Sequence, residues 1–200
     1  MRVFSGQLLL VFTAPLAVMI TLLNFAPFLP VVKEEFGLTN TMAGFLASAT
    51  LLSHTLLQLP GGQITDRIGA KRATGFGLVL AGSSVVASGF APTFSLLLLS
   101  RFCSGAGTAL TFIAGLACVN AMVPIKRRVI AQGLYGAAAN AGVVFVLLFS
   151  ERIAVWGGWR GVFVVEGVVI LGIACLLLRC VRLDAVHNLV VYPSWRELLR

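Results

Sequence analysis

Charge is what this sequence has least of. Only 11% of its 200 residues are charged, and its 7 acidic residues stand against 15 Lys and Arg. A soluble domain carries about 25% charged residues. With 58% hydrophobic residues and a mean hydropathy of +0.99, a water-soluble fold is excluded. The net charge of +8 raises nucleic acid as a partner. A nucleic-acid binder gathers its basic residues on one face of a polar domain, whereas here they lie between apolar runs, so no nucleic acid is expected.

Signatures of metal and enzyme chemistry are also missing. Cys103, Cys118, Cys175 and Cys180 form no CxxC pair and have no histidine at ligand spacing, so they read as packing or lipid-facing thiols. No metal and no cofactor is expected. Phe102-Cys103-Ser104-Gly105 lacks the first glycine of a GxSxG elbow, and neither His54 nor His187 belongs to an HExxH pair, so no enzyme is expected. The start of the chain looks like a signal peptide, yet the uncharged stretch Leu8 to Val31 is too long for one and further apolar runs follow. It reads as an uncleaved first helix.

What the sequence does have is long apolar runs. A bilayer core needs about 20 apolar residues per helix. Six stretches approach that, at about 8–31, 42–64, 73–90, 94–123, 129–150 and 161–178. Short breaks separate them at Lys33 to Glu35, Asp66 to Arg72, Ala91 to Thr93, Pro124 to Arg128 and Glu151 to Arg160. The expected fold is an all-α membrane protein, a bundle of six transmembrane helices over residues 1–180.

Lys and Arg alternate between crowded and sparse breaks. With the N-terminus inside, the inner segments hold Arg2, then Arg67, Lys71 and Arg72, then Lys126 to Arg128, then Arg179, Arg182, Arg196 and Arg200. The outer breaks hold Lys33, Arg152 and Arg160, so both termini are expected in the cytoplasm. Small residues crowd the spans at Gly75 to Gly77, Gly82 to Ser84, Gly105 to Gly107 and Gly136 to Ala139, which lets backbones approach closely in lipid. Beyond Leu178 the chain turns basic. Pro193 to Arg200 resembles the proline-led start of an amphipathic helix, and residues 181–200 read as the beginning of a cytoplasmic interdomain loop.

The densest motif is Gly62-Gln63-Ile64-Thr65-Asp66-Arg67-Ile68-Gly69-Ala70-Lys71-Arg72, between the second and third spans. It is similar to the GxxxDRxGxKR loop pattern of the Major Facilitator Superfamily, and the chain resembles the N-terminal half of such a transporter. The resemblance implies a bundle of two inverted three-helix repeats that works by alternating access. It implies secondary active transport of a small solute, coupled to protons or sodium, in the lipid bilayer of a bacterial inner membrane. The substrate would sit between this bundle and a C-terminal six-helix half that the chain does not include. Asp66 would be a latch carboxylate on the cytoplasmic side, with Arg67, Lys71 and Arg72 as its partners and Gly62 and Gly69 allowing the turn.

Arg101 in the fourth span, followed by Gly105 and Gly107, resembles the family's RxxxGxG element. At 1.5 Å rise per residue from Phe94, Arg101 lies about 10 Å inside the boundary. A charge at that depth must face protein or water, which makes it a candidate for substrate or coupling. Glu166 in the sixth span is the buried acid, a few residues past the family-like Trp159-Arg160 start of that helix; it reads either as a structural hydrogen-bonding group or as a protonatable partner for Arg101. Asn24, His54, Gln58 and Asn140 are the uncharged polar candidates for the cavity, with Gly105 and Gly107 as packing residues. Pro15, Pro27 and Pro30 are expected to bend the first helix.

Departures narrow the substrate. The first span has no acid and the fifth lacks the GPxxGG of drug antiporters, so drug antiport is disfavoured. Gln58 and Ala139-Asn140-Ala141-Gly142 fit nitrate porters only partly. A carrier of a small solute is the leading expectation, with an organic or inorganic anion symporter and another small-solute carrier both open. The alternative is a truncated, transport-incompetent membrane protein with a structural or regulatory role.

Overall fold

The computed structural model describes residues 6–182. The expected amphipathic start at Pro193 lies outside the described residues, as does most of the expected interdomain loop. Within them the chain runs α1 (Gly6–Leu23), α2 (Leu29–Glu35), α3 (Asn40–Ile68), α4 (Ala70–Gly89), α5 (Phe94–Met122) and α6 (Arg128–Cys180), with single 3-10 turns at Ala26–Phe28 and Ile125–Arg127.

The first span is broken where a bend was expected. Helix α1 stops at Leu23, Asn24 and Phe25 form a turn, and two short helical pieces carry the chain on to Glu35. Pro27 and Pro30 each stand in the first turn of one of those pieces. Proline has no N–H to lose there and its fixed φ suits a helix start. Pro15 lies inside α1.

Helices α3 and α5 begin at threonine caps. The Thr39 hydroxyl accepts the Met42 N–H at 3.2 Å and the Thr93 hydroxyl accepts that of Leu96 at 3.4 Å. Helix α3 ends on Gly69 at φ +87°, a left-handed conformation that favours glycine, and α4 starts at the next residue.

The expected break from Glu151 to Arg160 shrinks to a kink. Helix α6 runs 53 residues with non-helical backbone at Gly157 and Gly158 alone. The two glycines make the kink together, Gly158 at φ +61°, so no longer loop separates the helical arms. Two arms result, Ile125–Val155 and Gly157–Cys180.

With those arms, five segments among the described residues are long and apolar enough to cross a membrane. Helix α4 is 20 residues long but poorer in large apolar side chains. It is wedged between α5 and the second arm of α6, where most of its Gly, Ala, Ser and Thr residues are buried, while Phe76, Val79 and Leu80 stay exposed.

Close contact depends on those small residues. A Cβ on Gly107 would strike Ala81 N and the Gly77 carbonyl of α4, and one on Gly105 would strike Ser53 Oγ and the Thr50 carbonyl of α3. A Cβ on Gly142 would meet the Leu16 carbonyl, so the first arm of α6 lies against α1 in the same way. The first span therefore pairs with the fifth and the second with the fourth. These pairings exchange when spans one to three are superposed on four to six, as inverted repeats demand.

Two apolar clusters fill the ends of the bundle. One joins Leu8, Val11, Val119, Tyr135 and Leu177, and the other Phe25, Phe28, Val85, Leu97, Trp159 and Phe163.

Candidate functional site

Against the second apolar cluster sits a polar centre drawn from three helices and the turn that follows α1. Arg101 is wholly buried on α5. Its Nη1 donates to Asn24 Oδ1 at 2.9 Å and its Nε to Ser88 Oγ at 3.2 Å, while its guanidinium lies 4.7 Å from the Phe163 ring centroid. Ser88 is in turn 2.7 Å from Ser100 Oγ. Asn24 then donates from Nδ2 to Glu166 Oε2 at 2.7 Å.

The direction of this chain follows from chemistry. A guanidinium has no acceptor and an ionised carboxylate no donor, so the Asn24 amide must offer its oxygen to Arg101 and its nitrogen to Glu166. The break after α1 places Asn24 where one side chain can reach both. Arg101 Nη2 and Glu166 Oε1, both buried, have no hydrogen-bond partner within the described residues. An incompletely satisfied buried charge pair is energetically exposed, so any change in its charge state has large consequences.

A second polar group joins α3 to α5. His54 is buried, with Nδ1 3.0 Å from Thr108 Oγ1 and Nε2 3.0 Å from Gln58 Nε2. Nearby, Ser53 Oγ donates to the Phe102 carbonyl at 2.7 Å. Asn140 joins neither group; it is exposed and donates to the Gly136 carbonyl of its own helix at 3.2 Å.

At the end of the bundle marked by Glu35, Arg160 pairs with that carboxylate at 2.7 Å and donates to the carbonyls of Gly89 and Ala91 at 3.1 and 2.8 Å. Trp159 Nε1 donates to the other Glu35 oxygen at 2.6 Å. This clamp ties α2, the end of α4 and the second arm of α6.

The motif loop lies at the opposite end. Asp66 and Arg67 occupy the last turn of α3, and Lys71 and Arg72 the first turn of α4. The expectation that these bases are partners of Asp66 is not met: among the described residues the carboxylate forms no ion pair with them. Asp66, Arg67 and Arg72 are exposed, where the entropy of holding long side chains offsets the attraction. Gly62 and Gly69 are half-buried, and Gly69 supplies the turn.

Reasoning from sequence missed Ser88, Phe163, Thr108 and the Glu35 side of the clamp. Ser88 stands out only once α4 is known to face Arg101, since serines are common in packed spans.

A broken first helix, small-residue seams and a buried charged centre define a polytopic helical membrane protein built like one bundle of a carrier. The chain belongs to the Major Facilitator Superfamily, whose profile matches residues 8–197. It is 30% identical over 149 residues to the probable sulfoacetate transporter SauU of Cupriavidus necator, covering 74% of this chain and 35% of that protein. It is 34% identical over 172 residues to the lincomycin resistance protein of Streptomyces lincolnensis, covering 81% of this chain and 34% of that one. The fold is that of a crystal structure of a bacterial homologue of the human lysosomal transporter Spinster, inward-facing and occupied: TM-score 0.84 at 22% identity, over 91% of this chain and 45% of the other. The chain thus spans about a third of the length of the curated relatives it matches. Its family is one of transporters, not enzymes.

Proposed function

We propose that this chain forms one bundle of a secondary active transporter that carries a small anion together with a proton by alternating access. The observation that carries this reading is the Arg101–Asn24–Glu166 chain, with one free atom on the guanidinium and one on the carboxyl. Charge balance supplies the mechanism. With Glu166 ionised, Arg101 is compensated through Asn24. Protonating Glu166 leaves the guanidinium alone in a medium where an unpaired charge costs several kcal/mol. An anion arriving at Arg101 Nη2 restores neutrality. The empty protonated state and the loaded unprotonated state are both penalised, so proton and anion travel together. The turn at Asn24 is the part of the first span that shifts to admit the solute.

A proton suits the site better than sodium because it needs one carboxylate oxygen, and Glu166 Oε1, with the buried Ser150 hydroxyl beside the carboxyl, is that atom. In this reading both termini lie on the cytoplasmic side of a bacterial inner membrane. Asp66, exposed and unpaired, meets a helix N-terminus of a second bundle, where the positive end of a helix dipole attracts a carboxylate. Asn140, exposed on α6, faces that second bundle and contacts the solute.

The test is uptake of a labelled short sulfonate or sugar-acid anion into proteoliposomes. The chain is reconstituted alone and co-expressed with the remaining C-terminal portion of the SauU relative. Uptake in either preparation that is accelerated by an inward proton gradient and abolished by Arg101→Ala supports the proposal; absence of anion uptake from both overturns it.

One observation favours a second reading. A groove of about 390 Å³ between the end of α1 and the first arm of α6 is lined by Leu23, Ala26, Pro27, Val143, Val146 and Leu147, with Glu151 at its edge. Its chemistry suits an amphiphilic cation, and one relative is named for resistance to lincomycin. Export of such a cation would be lowered by Glu151→Gln and left intact by Arg101→Ala.

A further inference from the structure

The hydrogen bonds around His54 leave little freedom in where its protons lie. Thr108 Oγ1 has one proton, which it donates to the Gly105 carbonyl at 2.8 Å. With that proton committed to Gly105, Thr108 accepts from His54 across the 3.0 Å contact, the arrangement in which Nδ1 carries the hydrogen. At the other edge of the ring, Gln58 presents its amide nitrogen to Nε2 at 3.0 Å, so Nε2 is the acceptor and the ring is neutral.

The same cage holds the charged ring after one small movement. Turning the Gln58 amide by half a rotation about its last bond presents Oε1 where Nε2 needs an acceptor, and Thr108 keeps its bond unchanged. We propose that His54 is a proton-binding site of this chain, taking its proton at Nε2 as the Gln58 amide turns over.

Placement supports it. Gln58 is half-buried, one turn further along α3, so Nε2 looks toward the open side of the helix while Nδ1 looks into the seam with α5. Along α3 the ring's partner is Gln58. From α5 it meets Thr108 and the edge of Phe112, at 6.2 Å between centroids, with the Tyr135 phenol of α6 behind Phe112. Among the described residues the ring's hydrogen-bond partners, Thr108 and Gln58, are both uncharged. Arg101 lies two turns away along α5, about 10 Å at 1.5 Å per residue. Its hydrogen bonds share no residue with the Arg101–Asn24–Glu166 chain, so the site is distinct from Glu166, and it neither requires the anion-symport reading nor fails with it.

The experiment is magnetic resonance of isotope-labelled histidine in the full chain in lipid nanodiscs. His187→Gln removes the second of the chain's 2 histidines, so the remaining signals belong to His54. At alkaline pH the nitrogen shifts should report hydrogen on Nδ1 and a bare Nε2, and acidification should give a ring protonated at both nitrogens while the protein stays helical by circular dichroism. Gln58→Leu, which offers no acceptor, should lower the midpoint by about one pH unit, a tenfold loss of proton affinity and the usual worth of one hydrogen bond to a charged group. Gln58→Glu should raise it. A bare Nδ1 at alkaline pH, or a ring that stays neutral throughout the folded range, overturns the proposal on the unsubstituted site alone. A midpoint unmoved by either Gln58 variant overturns the role of the amide.

Discussion

At the scale of single residues, the weight falls on one amide. Asn24 supplies acceptor and donor to two buried charges that do not touch each other, so shortening it to alanine strands both. Removing one member of a buried charged pair costs about 3 to 5 kcal/mol. Arg101→Ala should therefore lower the unfolding temperature in mild detergent far more than Arg152→Ala, whose side chain is exposed. Equal melting temperatures for the two variants would show that the centre is not holding charge in a dry interior. Much of this centre was legible beforehand: Arg101, Glu166 and Asn24 are conspicuous because polar side chains in apolar runs need partners. The bridge itself was not, because it joins residues 142 apart and exists only where α1 stops short. Periodicity within one span carries no information about which rotation brings it to face another. For the same reason Asn140, as conspicuous on paper as Asn24, stands apart from the centre.

At the scale of helices, two devices hold the bundle together, and each gives a prediction. The α3–α5 seam closes at Gly105 because no Cβ fits between the helices. Gly105→Ala should cost about 1 to 3 kcal/mol through forced separation of the helices. Gly172→Ala, where the added carbon meets nothing within 4 Å, should be neutral or stabilising. Comparison of melting temperatures for the two decides the matter; similar losses would remove the seam's special status. The Arg160 clamp is partly exposed, so its ion pair alone contributes at most about 1 kcal/mol. Arg160→Ala also strips two backbone carbonyls of their donor, and should destabilise more than Glu35→Gln; the reverse order in thermal melts would contradict the clamp. Six spans could be counted from hydropathy and both interruptions placed, yet the form of the break in the first span and of the kink in α6 could not be read. Proline and glycine announce an interruption without stating whether it is a turn, a bend or a loop. Helix α4 shows the converse: its small residues lower its hydropathy and are mostly buried against α5 and α6, while Phe76, Val79 and Leu80 keep an exposed apolar face.

At the scale of the whole molecule, the Asp66 loop and the Arg160 clamp lie at opposite ends of a bundle whose polar centre sits between. The proposed orientation puts the loop in the cytoplasm. In a chain with its 4 cysteines replaced by serine, Arg72→Cys should react with an impermeant maleimide only from the cytoplasmic side and Arg152→Cys only from the other; the opposite pattern would invert the topology. Above these stands the claim that Glu166 couples a proton to an anion bound at Arg101. The most direct measurement compares net uptake driven by a proton gradient with exchange of labelled for unlabelled anion, in proteoliposomes carrying Glu166→Gln. A permanently neutral side chain mimics the protonated state, so exchange should persist while gradient-driven uptake disappears. Gradient-driven uptake at the unsubstituted rate in that variant would contradict the account.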